Sequence, residues 1–231
     1  MGKTILVVGY GPGISNAVAE KFGSSGFSVA LVARNEERLA DGVKALKAKG
    51  IEAAAFTADA SDPAAIRSAV GKARTALGPI AVVQWNAYGG ADAGDFVTAD
   101  VKALRGVFDV AIVGLLAAVQ EALPDLKQSK EGAVLVTNGA FGELNAQMDE
   151  YAVNLKAMGL ALANASKHKL VGLLSKRLAA DGVYVGEVMV AGTVKGTAWD
   201  RGGSPAIDPA AIANKFWELY QARGEIRARV S

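Results

Sequence analysis

Seven short β-branched runs, each but the last followed by a longer stretch rich in Ala, Leu and Lys, set the strongest constraint on what this chain folds into. The runs are TILVV at 4–8, FSVALV at 27–32, EAAAFT at 52–57, IAVVQW at 80–85, AVLVT at 133–137, VYVGEVMV at 183–190 and EIRARV at 225–230. Each is nearly continuous in apolar side chains, as a strand covered on both faces has to be, whereas a half-exposed strand alternates. The rhythm predicts an α/β chain: a doubly wound, parallel, seven-stranded sheet with helices on both faces. Capping residues punctuate the helices. Asn35 opens one that runs to Gly50, and the pairs Asp62-Pro63 and Asp208-Pro209 each place a capping oxygen before a first turn with fixed φ. No composition break interrupts the 231 residues, so the expectation is one domain over 1–231, with a substrate loop at the irregular stretch 192–208.

Between the first run and the first helix stands Gly9-Tyr10-Gly11-Pro12-Gly13-Ile14-Ser15. Glycines there turn the backbone sharply and bring its amides against a pyrophosphate at the positive end of a helix, which points to a Rossmann-type dinucleotide fold. A tight turn without a ligand is the bland alternative. The second run ends in Ala33-Arg34-Asn35, where such folds meet the adenosine ribose. An acidic side chain there accepts from a free 2′-hydroxyl, while arginine pairs with a 2′-phosphate, so Arg34 and Asn35 point to NADP(H) rather than NAD. A solvated surface charge is the competing reading of Arg34. Asp59, after the third run, either accepts from the adenine amino group or organises the turn before Asp62.

Composition removes several chemistries. The chain has no cysteine, which excludes disulfides, a thiolate nucleophile and sulfur-ligated zinc. Its single histidine, His168, leaves none for a multi-histidine metal site, and a Ser-His-Asp triad would have no other base. The formal charge of +2 comes from interspersed signs, so a small-molecule substrate is expected and nucleic acid is not. A short apolar N-terminal run and the lack of any apolar run near spanning length predict a cytoplasmic chain with no membrane partner.

These pieces in this order resemble the short-chain dehydrogenase/reductase family over essentially the whole chain: the glycine turn at 9–15, Ala33-Arg34-Asn35, Asp59, Asn86-Ala87, AGTVKGT at 191–197 and the ending DPAAIANKFWELY at 208–220. The resemblance implies that Asn86 and Ala87 line the cofactor and that Gly192, Val194 and Thr197 hold its nicotinamide end. Ser15 stands where the family has the last glycine of the turn. Catalysis in the family rests on a serine, a tyrosine and a lysine, with an asparagine holding a relay water. Here Ala111 takes the place of that asparagine, and Thr137-Asn138-Gly139 stands where the serine is expected.

Three anchors place the tyrosine and lysine differently. Counting on from Asn138 reaches Tyr151, with Leu155 in the lysine position and Lys156 one step round. The string Ala165-Ser166-Lys167-His168 resembles the family's serine-lysine pair but puts Ala163 at the tyrosine. Counting back from Gly182 gives Leu160 and Asn164. The favoured register takes Tyr151 as the acid, Asn138 as donor to the substrate oxygen and Lys156 or Lys167 as the nearby positive charge. Helix-start packing for Tyr151 and solvated charges for the lysines remain the bland alternatives, and His168 reads as a surface residue. Trp85, Phe141, Met148 and Trp199 are candidates for an apolar substrate wall. The expected function is an NADPH-dependent reductase of a small, apolar carbonyl or related unsaturated substrate; the alternative is a catalytically inactive NADP-binding sensor or interaction protein. Apolar residues on a helix over about 99–127 (Val107, Val110, Leu115, Leu116, Val119, Leu123) and a long helix over about 149–180 predict a homodimer or homotetramer.

Overall fold

The structure, a computed structural model, describes residues 2–89, 93–197, 200, 202 and 205–231. Its strands are β1 (Lys3–Val8), β2 (Phe27–Ala33), β3 (Ala53–Thr57), β4 (Ile80–Trp85), β5 (Ala133–Gly139), β6 (Tyr184–Val190) and β7 (Arg227–Val230). They form one sheet in the order β3-β2-β1-β4-β5-β6-β7, parallel at every pairing. Strand order reverses between β1 and β4, the switch point at which open α/β sheets leave a crevice beyond the strands' carboxyl ends.

On one face α1 (Ile14–Ser24), α2 (Glu36–Ala48) and α8 (Pro209–Ala222) pack through Val18, Phe22, Leu39, Leu46, Ile212 and Phe216 onto Ile5, Val7, Val29, Leu31 and Val188. Phe22, Phe27, Trp217 and Tyr220 meet there, mostly edge to face, with Phe22 and Trp217 at 5.0 Å between centroids. On the other face α3 (Pro63–Leu77), α5 (Leu115–Gln128) and α7 (Met158–Leu178) cover Leu6, Val8, Val83, Trp85, Val134 and Val136. Fully burying side chains of this size contributes about 2–3 kcal/mol each, which is why sequence runs apolar on both faces become central strands. The caps form as expected: Asn35 accepts from Arg38 N at 2.7 Å, Asp62 from Ala64 N at 2.8 Å and Asp208 from Ala210 N at 2.9 Å.

The helical segments depart from expectation in two places. The helix placed at about 99–127 begins at 103 as α4 (Ala103–Phe108), continues as a π-helical stretch (Asp109–Gly114) and runs on as α5. A side chain at Gly114 would stand 2.0 Å from the Ala60 carbonyl oxygen, so only glycine admits this close crossing. The continuous helix 103–128 is long and apolar enough by length and composition to cross a membrane, with a mean hydropathy of 1.7 in its most apolar window, although the sequence has no unbroken apolar run of that length. Its Val107, Leu115 and Val119 are buried against the sheet and neighbouring helices, so they serve the core rather than the expected interface. Likewise, the helix placed at about 149–180 is two helices, α6 (Ala146–Asn154) and α7, separated at 155–157 where Lys156 takes a φ of 51°.

Candidate active site

At the carboxyl end of β1 the chain turns through Gly9, whose φ of 84° and contact with Asn86 and Ala87, just after β4, both require glycine. A Cβ there would lie 2.4 Å from Ala87 N. Gly9 N donates to Val32 O at 2.9 Å, and Asn86 Nδ2 reaches Gly9 O at 3.4 Å, which leaves Asn86 Oδ1 buried and unpartnered. Gly13 precedes α1 with no side-chain cap, and the first turn of α1 carries no acidic residue, so its free N–H groups present an unopposed positive end. Ser15, in place of the last glycine, is accommodated: its hydroxyl accepts from Gly11 N at 2.8 Å and lies 3.2 Å from Gly11 O. Ile14 follows as the first helical residue, half-buried against the core.

The segment from 192 to 197 comes back over this turn. Val194 bridges to Ile207, Thr197 Oγ1 donates to Val194 O at 2.8 Å, and a Cβ on Gly13 would stand 2.7 Å from the Thr197 methyl; Gly192 packs against Ile207. Gly13, Val194 and Thr197, distant in sequence, thus share one end of the sheet.

Arg34 extends from the end of β2 with 80% of its side chain exposed and Nη1 3.9 Å from Asp59 Oδ2. Hydrogen bonds from Ser61 N and Oγ hold the Asp59 carboxyl below its usual range, with Arg34 adding a smaller effect. A second cation escaped the sequence reading: Arg38, one turn into α2, brings Nη1 within 4.0 Å of where a side chain on Gly11 would begin. The signal was available, because β2 and α2 are joined by only two residues and Asn35 fixes the helix start. Glycine cradle, free helix terminus, orphaned Asn86 oxygen and two arginines on one edge fit a nicotinamide dinucleotide.

The catalytic candidates are dispersed. Tyr151 lies on α6, half-exposed, its ring stacked at 5.6 Å on Phe141 just beyond β5. A surface cavity of about 380 Å³ beside it is lined by Gln147, Met148, Glu150, Tyr151 and Asn154. Lys156 is exposed in the left-handed turn between α6 and α7. Asn138 is 3% exposed and points inward, its Nδ2 donating to Asn164 O at 2.9 Å and to Glu187 Oε1. Both amide hydrogens are therefore committed within the protein, and the donor role toward a substrate oxygen is not available in this geometry. Trp85, a candidate wall residue, is instead fully buried under Gly114, and Trp199 lies outside the described residues. Ala111 is buried on the π-helical stretch in a small apolar cluster with Val107 and Ala163 of α7.

Lys167 is not a solvated charge. It is 3% exposed on α7 with Nζ donating to Thr137 O at 3.1 Å, and burial pushes it down to about 8 despite an opposing pull from Glu187. Nor is His168 a free surface residue: its Nδ1 stands 2.9 Å from Glu187 Oε2, close enough for charge pairing but off the line of a hydrogen bond. Arg227 Nε meets the same carboxylate at 3.2 Å. Asn164 packs into the end of β5, where side chains on Gly139 or Gly142 would collide with it at 2.6 Å. Isolated polar residues in separate segments gave no sign of this network; three-dimensional proximity alone assembles it.

A family model of short chain dehydrogenases matches residues 3–199. The chain is 34% identical over 136 residues to a short chain dehydrogenase of Pseudocercospora fijiensis, covering 58% of this chain but 44% of that one. It is 28% identical over 206 residues to an (S)-acetoin-forming diacetyl reductase of Staphylococcus epidermidis, covering 87% and 75% of the two. Among solved structures, an NADPH-bound short chain oxidoreductase of Pseudomonas aeruginosa, described as containing an atypical catalytic center, superposes with a TM-score of 0.86 at 20% identity over 100% of this chain and 95% of that one. The match over residues 3–199, together with the sheet order and the glycine turn, shows that the chain belongs to the short-chain dehydrogenase/reductase family of oxidoreductases.

Proposed function

We propose that this oxidoreductase is an NADPH-dependent reductase of a small, apolar carbonyl or related unsaturated compound. The observation that carries the cofactor choice is the pairing of an unopposed α1 terminus with Arg34 at the end of β2 on one sheet edge. Gly9, Gly11, Gly13, Ile14 and Ser15 would hold the pyrophosphate; Arg34, Asn35 and Asp59 the adenosine end; Asn86, Ala87, Gly192, Val194 and Thr197 the nicotinamide end. The cofactor, when bound, supplies the hydride. Tyr151 gives the proton, and of the two lysines considered for the positive potential, Lys156 and Lys167, it is Lys167, buried behind the end of β5, that takes the part. The NADPH-bound structural neighbours support the reading.

Fluorescence titration tests it: NADPH should bind at least about tenfold tighter than NADH, some 1.4 kcal/mol, and Arg34→Asp should invert that order. Equal affinities would remove Arg34 from its role. Oxidation of NADPH by a panel of small ketones, read at the nicotinamide absorbance, then tests turnover. One observation favours a second reading, a cofactor-binding protein without catalysis: Ala111, in the place of the family's asparagine, is buried in an apolar cluster and offers no polar group. Tight NADPH binding with no turnover across the panel would establish that alternative.

A further inference from the structure

Inside α2 stands a glycine, Gly42, buried and without a positive φ. Alanine suits a helix interior better, so backbone freedom does not explain it. Space does. A Cβ at position 42 would lie 2.4 Å from the Tyr10 hydroxyl oxygen and 2.5 Å from Cε1 and Cζ of the same ring. Tyr10 belongs to the glycine turn, between Gly9 and Gly11, and its side chain is buried in the core cluster that holds Val18, Leu39 and Leu46. Two bonds fix it there: its N–H donates to Val32 O at 3.1 Å, and its hydroxyl donates at 2.8 Å to Oδ1 of Asn16, in the first turn of α1. The ring therefore has no free swing away from α2, since leaving the notch breaks the bond to Asn16 and opens a gap in the core. Arg38 precedes Gly42 by one helical turn, so the two share a face of α2. That face meets successive residues of the glycine turn: Gly42 takes Tyr10, and Arg38 Nη1 comes within 4.0 Å of the Cβ position on Gly11. Unlike Gly42, Arg38 is exposed, so a ligand lying along the turn can reach it.

We propose that the seat of Tyr10 on Gly42 sets the distance between α2 and the glycine turn, and so places Arg38 to bind the 2′-phosphate of NADP(H) beside Arg34. This rests on the NADP(H) reading of the site and adds to it a positioning residue, Tyr10, and a second cation for the phosphate. The Tyr10 side chain acts through Arg38: it is buried between the turn and α2, while Arg38 faces solvent on the edge from which Arg34 extends. An arginine binds phosphate through N–H pairs of fixed geometry, so its benefit depends on where α2 holds it. NADH offers Arg38 no such group. The spacing of α2 is therefore read out as a choice between two cofactors rather than as overall affinity.

Fluorescence titration with NADPH and NADH tests this on the unmodified chain, Arg38→Gln, Gly42→Ala and the double variant. Arg38→Gln should weaken NADPH about tenfold and leave NADH within about twofold. Gly42→Ala should do the same although it removes no contact group, because the new methyl collides with the Tyr10 ring and drives α2 off the turn. The double variant should bind NADPH no worse than Arg38→Gln alone, since both changes abolish one contact. Losses that add in the double variant, or an equal loss of both cofactors in Gly42→Ala, would mean that position 42 acts through general packing, and either result overturns the proposal. A full preference for NADPH in Arg38→Gln overturns it without Gly42→Ala, so poor folding of that variant does not prevent refutation. A preference that Arg34→Asp abolishes and Arg38→Gln leaves intact refutes this proposal alone. Equal affinities in the unmodified chain would refute the NADP(H) reading and the proposal with it.

Discussion

Lys167 makes stability depend on pH in a direction opposite to that of most lysines. A lysine that gains an ion pair titrates higher in the folded chain; this one is pushed from 10.5 down to about 8 by burial. Between those values the unfolded chain holds a proton that the folded chain has released, so stability rises with pH through that window. Below pH 8 the full cost of the buried ammonium applies, about 3 kcal/mol for the difference of 2.5 between 10.5 and about 8. From pH 8 to 9.5 the linkage relation returns about 1.5 kcal/mol of it. Tyrosines limit the range above: burial raises Tyr10, raises Tyr184 to about 12 and raises Tyr220, so the unfolded chain loses those protons first and stability declines beyond pH 10. The test is urea unfolding at pH 8.0, 8.5, 9.0 and 9.5 (about half-unit steps across the lysine window) on the unmodified chain and on Lys167→Met. Methionine keeps the length and loses the charge and the bond to Thr137 O. The difference in stability between the two chains should change by about 1.5 kcal/mol over the range, with the unmodified chain gaining as pH rises. A difference that stays constant with pH would show that Lys167 keeps an ordinary affinity for its proton, and its assignment as a perturbed charge behind the site would fail.

With Tyr151 as the proposed acid, Tyr151→Phe, which leaves the stack on Phe141, should lower turnover about a hundredfold, near 3 kcal/mol in the barrier, with NADPH affinity unchanged. Unchanged turnover would leave Tyr151 as a packing residue only. For assembly, Val113 of the π-helical stretch and Leu162 and Leu173 of α7 leave apolar side chains exposed, and sedimentation at micromolar concentration should show a dimer or tetramer. Leu173→Glu should shift that species toward monomer, and a monomer in the unmodified chain would end the proposal.

Much of the fold was legible because it rests on local rules. Continuous apolar runs meant strands buried on both faces, and the runs at 4–8, 80–85 and 133–137 became the central strands β1, β4 and β5. The turn after β1 and the end of β2 were legible for the same reason. Gly9 is demanded by its own φ, and Arg34 and Asn35 stand where β2 must end. Helix boundaries were less so: the α6–α7 break depends on Lys156 adopting a left-handed turn that no side chain there advertises.

What the sequence by itself determined, then, is everything that follows from periodicity, capping and glycine: sheet, winding, the glycine turn after β1 and the arginine at the end of β2. Tertiary structure alone decided the surroundings of Asn138. Lys167 and His168 sit between apparently solvated neighbours in sequence, and Glu187 lies inside an apolar strand with no local partner in view. Only the packing of α7 across β5 and β6, with β7 closing the edge, brings them around Asn138. The physical reason is the range of the forces involved. Helix and strand preferences act over a few residues, whereas desolvation and charge pairing depend on which segments, tens of residues apart, end up facing one another.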